Sequence, residues 1–528
     1  MPKNTIQPNG WVALRLPNEN LRVLQVIPNA TISLGKYGSF PSNLLIERPF
    51  HLTYEVQDKR EGETFSRLRV VPASELNADQ LADTSAIEEL KRKGASAGKE
   101  LIAKLMLSHT ALDQKTAFSL AKYKLLKERK FLRRFAVLPL DVTLLAQWTL
   151  EDRDPGKIMD MRQEALGLVG CWADVHFGGL PMEGASGPHG GRWLAVDDTG
   201  GLLVAAMAER MGLLHREDDE GAALEYPTAE AKEQGTEAAP QLPADSSDTK
   251  PLAPCTSPKT QRSSRKRPRR DDLEDHYSLT NTITVIHANS QPNLSLLRYF
   301  DYDATDPNPS HPYHPLVTHL LPISWLQLVS PDQDPTYADK PVEASPEEMA
   351  AWKTNRRGNY HRKRRRWART RQIINNTRAG GFYGLAVAST MDPVSVLRHA
   401  LPLLAGGSPI AIYSPNVEPL TQLADCFNIA RRTAWTASPP PEVEGKTAAE
   451  LERWAGTPEF PINPTLVLGA TIQTSRARRW QVLPGRTHPF MTARGGPEGY
   501  VFTGWRAIPA EGKISARGRY QKKRADGS

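Results

Sequence analysis

Residues 192–212, RWLAVDDTGGLLVAAMAERMG, constrain the fold of this chain more than any other stretch. The apolar run at 193–196 predicts a buried strand. A polar turn follows at 197–201, and a mostly apolar helix from 202 to about 211 stops at Gly212. Strand, glycine-containing turn and helix make the first half of a nucleotide-binding βαβ unit. In such units glycines let the backbone approach a ligand held at the helix amino terminus. This turn keeps only Gly200 and Gly201, beside Asp198 and Thr199. The element is predicted and its ligand chemistry is damaged.

The chain beyond it extends the same architecture. ITVIHA, GFYGLAVAS (381–389) and SPIAIYSP (408–415) read as strands, and VSVLRHALPLL and residues 418–432 as helices. A late strand pair falls within 465–484. Strands alternating with helices predict an α/β sheet with parallel strands, closing in a β-rich end. Before it, residues 11–72 carry short β-rich runs broken by Pro, Asn and Gly, the pattern of a small barrel or sandwich. Residues 75–135 take helical spacing, with Ser108 or Asp113 as possible caps and Lys115 and Lys122 among the cations of the last helix. The expected division is therefore 1–76, a helical connection at 77–180, the α/β domain at 181–510 and a basic tail at 511–528.

Residues 216–275 contain no Val, Ile, Met, Phe or Trp. They cannot bury enough apolar surface to offset ordering entropy, which predicts a disordered insertion. The insertion carries Arg265, Lys266, Arg267, Arg269 and Arg270, a cluster suited to a nuclear-import receptor and hence to a nuclear location. The amino terminus has no signal-peptide core, no apolar run is long enough to span a bilayer, and three scattered cysteines suggest a reducing compartment without a metal cage.

Charge is placed unevenly. The net charge is +8, yet three runs at 262–270, 353–371 and 513–524 hold 22 positive charges, and the remainder of the chain is acidic at −14. An acidic body with basic runs favours a polyanionic partner. The densest run, WKTNRRGNYHRKRRRWARTR at 352–371, has ten Lys and Arg, no acid, and interleaved Trp352, Tyr360 and Trp367. Spacings of eight and seven put those rings near one face of a helix if Gly358 does not interrupt it. Arginine pairs phosphates and aromatic rings stack on exposed bases. Arg356, Arg357, Tyr360, Arg362, Lys363, Arg364, Arg365, Arg366, Trp367 and Arg369 are the candidate RNA contacts, with Lys115 and Lys122 as a weaker second set. A solvated helix face or a second import signal is the plain alternative.

Enzymatic chemistry is harder to find. Binding of S-adenosylmethionine by a class I methyltransferase needs a glycine-rich turn after the first strand and an acid ending the second. The second strand here ends His287, Ala288, Asn289. No nucleophile triad, HExxH or CxxC occurs, and His276, His287, His311, His314 and His319 lack metal-ligand spacing.

Pieces spread along nearly the whole chain resemble one family. They include YGSFPSNLLIERPFHLTYEV, QKTAFSLAKYKLLKERK, DPGKIMDMRQEAL, VIHANSQPNLSLLRYF, RAGGFYGLAVAS and PIAIYSPNVEPLTQLAD. The chain is similar to the non-catalytic subunits of the eukaryotic tRNA adenine-58 N1-methyltransferase, in a fungal form. That resemblance implies an N-terminal β-barrel domain, a C-terminal Rossmann-like class I methyltransferase fold without a competent cofactor site, and assembly with a catalytic paralogue as a heterotetramer of two copies each. The paralogue reads E-x-G-x-G-x-G at the first turn. Here Asp197 keeps the acid and Gly201 the middle glycine, while Thr199 and Leu203 replace the outer two. Where the paralogue has its catalytic Asp after the fourth strand, this chain has Ser389, Thr390 and Met391, with Asp392 only beyond.

The expected function is thus a tRNA-binding subunit, with S-adenosylmethionine held by the catalytic partner, no cofactor or metal in this chain and no membrane association. Its rivals are a methyltransferase with a divergent cofactor loop and an RNA-binding translation or assembly factor on a dead methyltransferase fold.

Overall fold

The computed structural model describes residues 4–57, 66–74, 102, 116–177, 190–215, 281–303, 314–477, 480–483, 485–489 and 497–509. The insertion with its import cluster, Lys115, His276, His311 and the basic tail lie outside the described residues.

The amino-terminal strands are β1 (Trp11–Arg15), β2 (Leu21–Gln25), β3 (Thr31–Ser33), β4 (Ser39–Pro41), β5 (Thr53–Val56) and β6 (Leu68–Val70). A seventh, β7 (Arg134–Pro139), enters their sheet from far along the chain, giving the antiparallel order β2-β1-β7-β5-β6, with β3 and β4 paired separately. This corrects the expected helical connection at 77–180. Its described part holds the helix Ala117–Phe131, capped by Thr116, and then this central strand. Arg134 and Phe135 look like the end of a helical cationic run, but the helix stops at Leu132 and the apolar positions switch to a period of two.

The same alternation welds the module to the rest. In β1, Val12 and Leu14 face a core shared with Phe40, Tyr54 and Phe135, while Ala13 faces the core beneath the helices Val142–Trp148, Gln163–Trp172 and Leu202–Met211. The expected boundaries at 76/77 and 180/181 therefore do not separate compact bodies. Residues 1–216 and 275–528 form one unit.

The larger sheet contains β8 (Arg192–Asp197), β9 (Thr282–His287), β10 (Leu320–Ser324), β11 (Gly384–Ala388), β12 (Pro409–Ser414), β13 (Val467–Gln473) and β16 (Tyr500–Arg506). Between the last two, β14 (Trp480–Leu483) and β15 (Arg486–Pro489) form a separate hairpin. The order is β10-β9-β8-β11-β12-β16-β13, with β10 to β12 parallel and β16 antiparallel to both its neighbours. Most strands are covered on both faces and are mostly apolar, with buried polar exceptions such as Thr282, Thr284 and Thr503, while β13 is largely exposed. Trp193, Ala195, Ala386, Ala388 and Ala411 face one core, and Leu194, Val196, Leu385, Val387, Ile410 and Ile412 the other. Small residues on the first face let the helices 163–172 and 202–211 lie close. Each fully buried aliphatic side chain contributes about 2 kcal/mol to holding these layers together.

Strand order reverses between the parallel β8 and β11: from β8 the chain builds outward through β9 and β10, and from β11 outward through β12. In open α/β sheets ligands bind outside the carboxyl ends of the strands at such a switch point.

Candidate functional site

At the switch point the chain's own groups bond to one another. Gly200 and Gly201 take left-handed φ values of 70° and 93°, which glycine adopts without strain. They do not leave open space. A Cβ on Gly201 would stand 3.1 Å from the Leu294 Cα, one on Gly200 would meet Lys157 at 3.2 Å, and the Leu296 N–H donates to the Gly200 carbonyl at 3.0 Å. The segment after β9 lies directly on the turn.

The helix amino terminus is occupied too. Free N–H groups there form an anion site in nucleotide-binding folds. Here the buried Asp197 carboxylate accepts from the Thr199 N–H (2.6 Å), the Thr199 hydroxyl (2.5 Å) and the Val204 N–H (3.0 Å). The Thr199 hydroxyl oxygen in turn accepts from the Leu203 N–H at 3.1 Å. Burial pushes the Asp197 carboxyl above the usual carboxylate range, and its three hydrogen bonds oppose that rise. Thr199 and Leu203, which stand where glycines are expected, are both buried.

Asp198 closes the crevice from the other side. Its Oδ2 accepts from the Ser389 hydroxyl (2.5 Å) and the Thr390 N–H (3.0 Å), tying the end of β8 to the end of β11. Asp392 caps the helix Pro393–Ala400 through the Ser395 N–H at 3.0 Å. The sequence singled out each of these residues. It did not show that they bond to one another, because that pairing spans 190 residues of chain.

The basic run is a continuous helix, Thr354–Arg378, about 37 Å long. Gly358 does not break it: a mid-helix glycine costs roughly 1 kcal/mol, which neighbouring helix formers absorb. The carboxyl end is held by Arg192, which donates to the carbonyls of Gly380 (2.7 Å) and Asn376 (2.8 Å) and lies over the Phe382 ring. No sequence signal marked Arg192 for that role.

The aromatic residues do not form one exposed stacking platform. The Trp367 indole N–H donates to the Tyr337 carbonyl (3.0 Å), and the Tyr360 hydroxyl accepts from the Ala344 N–H (2.9 Å). Both clip the helix to the segment 337–344. Trp352 precedes the helix and packs edge-on to Tyr360. Several cations are also engaged locally. Arg357 donates to the Met349 and Ala350 carbonyls, Arg364 lies 3.6 Å from Glu343, Arg365 donates to the His361 carbonyl, and the half-buried Arg369 donates to the Val317 carbonyl. Arg356 stacks over Trp352, and Arg362 bonds only to Gly358 and Asn359 of its own helix. Lys363 and Arg366 are exposed and make no hydrogen bond or ion pair among the described residues. On the helix 117–131, Lys122 is exposed, with its ammonium 5.9 Å from the Phe118 ring.

The described histidines turn inward: His287, His314 and His319 bond the carbonyls of Asn289, Phe300 and Asn281. Among the described residues no group of His, Cys, Asp or Glu gathers as a metal site, and no helix is long and apolar enough to cross a membrane.

A seven-stranded sheet in which three strands build outward one way, two the other, and an antiparallel strand enters beside the last is the Rossmann-like arrangement of class I methyltransferases. Sequence comparison narrows this class. The Gcd10p family model matches residues 5–86 and 83–353, and the chain belongs to that family. It is 42% identical to the tRNA (adenine(58)-N(1))-methyltransferase non-catalytic subunit trm6 of Aspergillus oryzae, covering 98% of this chain and 95% of that one. The subunits of the same name from Aspergillus fumigatus and Schizosaccharomyces pombe are 43% and 27% identical, over 98% and 99% of this chain and 95% and 96% of theirs. Among solved structures, the tRNA (m1A58) methyltransferase TrmI of Aquifex aeolicus aligns over 95% of this chain and 99% of its own, at 8% identity and a TM-score of 0.38, too distant a likeness to carry an argument.

Proposed function

We propose that this chain is the non-catalytic, tRNA-binding subunit of a tRNA (adenine(58)-N(1))-methyltransferase, and that a catalytic partner holds S-adenosylmethionine and performs the transfer. One observation carries the reading: at the switch point Asp197, Thr199 and Asp198 bond to the chain's own turn, helix and β11. S-adenosylmethionine does not fit this crevice, because a ligand entering it must break hydrogen bonds of buried groups at about 1–3 kcal/mol for each group left unpaired. The chain's contribution is electrostatic. Cations along the helix 354–378, led by Arg362, Lys363 and Arg366, neutralise tRNA phosphates and release condensed counterions. Lys122 and Lys115 form a lesser second set.

The same reading takes the five-stranded amino-terminal module with its β3–β4 ribbon as the barrel domain of the family, and the assembly as two copies of each subunit. It places the complex in the nucleus through Arg265, Lys266, Arg267, Arg269 and Arg270. Support for these comes from the family resemblance and from the density of basic residues in the sequence. The test is co-expression with the catalytic paralogue, followed by methylation assays on each subunit alone and on the complex. Activity confined to the complex is expected. Activity of this chain alone, or full activity of the partner without it, would overturn the reading.

A further inference from the structure

Beside the ends of β9 and β10 lies a cavity of about 660 Å³, within the range that holds a nucleotide-sized ligand. The helix 354–378 supplies one wall through Lys363, Arg366, Trp367 and Thr370, which recur at helical spacing; His287 and Tyr302 contribute from across it. The cavity adjoins the switch point through Leu294 and His287, but none of Asp197, Asp198, Thr199, Ser389 or Thr390 lines it. We propose that the cavity takes one unstacked nucleotide of the bound tRNA, with its phosphate at Lys363 and Arg366 and its ring inside, against Trp367 and Tyr302.

Four observations carry this. Of the three cations that line the cavity, Lys363 and Arg366 make no hydrogen bond or ion pair among the described residues, while Arg369 is committed to the Val317 carbonyl. Among the described lining residues the one carboxylate, Asp339, is exposed. The aromatic side chains of the wall are fixed in place: Trp367 by its bond to Tyr337, with Arg371 over its ring at 5.2 Å, and Tyr302 by the His314 ring at 5.3 Å. Fixed rings lose little entropy when a base stacks on them. Finally, His287 Nδ1 lies 2.7 Å from the Asn289 carbonyl, a contact only an N–H satisfies, and burial disfavours the protonated ring; in the neutral form Nε2 is an acceptor for a base amine. An RNA residue fits better than a free nucleotide because the exposed cations continue beyond the cavity to Arg362 and Arg356. A free mononucleotide, its one phosphate held at Lys363 and Arg366, has no neighbouring phosphates to meet them.

The proposal rests on the tRNA-binding reading, and its test separates the two. In the reconstituted complex, Thr370→Trp fills the cavity without changing charge, and Ser290→Trp does so from an exposed loop on the opposite wall. Each is expected to weaken tRNA binding about ten-fold, the loss of one base stack, with an unchanged salt slope. Chemical probing of the tRNA should show one base protected by the wild-type complex and released in both variants. Unchanged affinity together with no protected base overturns the cavity proposal. The broader reading fails separately, if Arg362→Ala with Lys363→Ala and Arg366→Ala also leaves affinity and salt slope unchanged. Saturable binding of AMP, GMP, CMP, UMP or S-adenosylmethionine to the chain, lost in Thr370→Trp and not displaced by tRNA, assigns the cavity to a free ligand and overturns the proposal as well.

Discussion

The crevice between β8 and β11 and the helix 354–378 each gather polar and charged side chains at a place suited to an anionic or nucleotide ligand. In the crevice these groups are bonded to the chain itself, so the buried Asp197 caps a helix and the partly buried Asp198 ties two strands. On the helix, Arg362, Lys363 and Arg366 stand exposed with at most bonds to their own helix. The difference teaches that residue type locates a candidate site, while the partners already held decide whether the site is available. On the proposed reading, a retained methyltransferase fold would lose its cofactor role by satisfying its own polar groups, and gain an RNA role by leaving others unsatisfied.

The comparison is broken most strongly at the free cations. Replacing Arg362, Lys363 and Arg366 by Ala should lower the log–log salt slope of tRNA binding by about two to three. Between about 50 and 200 mM salt, the affinity lost would then shrink by roughly fifteen- to sixty-fold relative to the wild-type complex. Filter binding across salt concentrations measures this, and coincident curves would remove the helix as an RNA site.

Asp197→Ala probes the opposite region. It strips the acceptor from the Thr199 and Val204 N–H groups and from the Thr199 hydroxyl, all buried, and should cost about 3 kcal/mol in urea unfolding. An open ligand site would tolerate the loss of its carboxylate with little change in stability. Tyr360→Phe is milder: it removes the acceptor for the Ala344 N–H, so stability should drop by about 1 kcal/mol while tRNA affinity holds. A phenol that contacts RNA would give the reverse pattern.

The smallest effect is one of pH. Burial lowers the folded-state pKa of His287 and of His319, the second of which bonds the Asn281 carbonyl. The unfolded chain then binds more protons below about pH 6.5, so this contribution to stability is present above that value and is lost as pH falls. Asp197 and Glu209, raised by burial, act in the opposite sense. The readout is therefore a difference. His287→Gln with His319→Gln should make stability fall less between pH 7 and about pH 5 than it does in the wild type.

Much of this arrangement was legible from local pattern. The strand–turn–helix at 192–212 announced itself by an apolar run, a glycine pair and Gly212 in the left-handed stop position, φ 74°. The charge density at 353–371 marked the helix without showing which charges were free. What stayed hidden depends on contacts distant in sequence. β7 sits behind a cationic helix and joins strands some eighty residues or more away in the chain. Leu294 and Leu296 cover Gly201 and Gly200 from beyond the insertion. The helical spacing of Trp367 and Tyr360 marked them as ring-bearing positions without showing what else they do. Their hydrogen bonds to Tyr337 and Ala344 involve a segment whose path no periodicity reveals.

The central claim is that the crevice between β8 and β11 no longer serves a cofactor. Calorimetric titration of the purified chain with S-adenosylmethionine tests it directly. No saturable heat is expected up to about 1 mM ligand, a bound near 4 kcal/mol of binding free energy. A saturable isotherm with a micromolar constant, retained in Thr370→Trp, would place the ligand in the crevice and contradict the account.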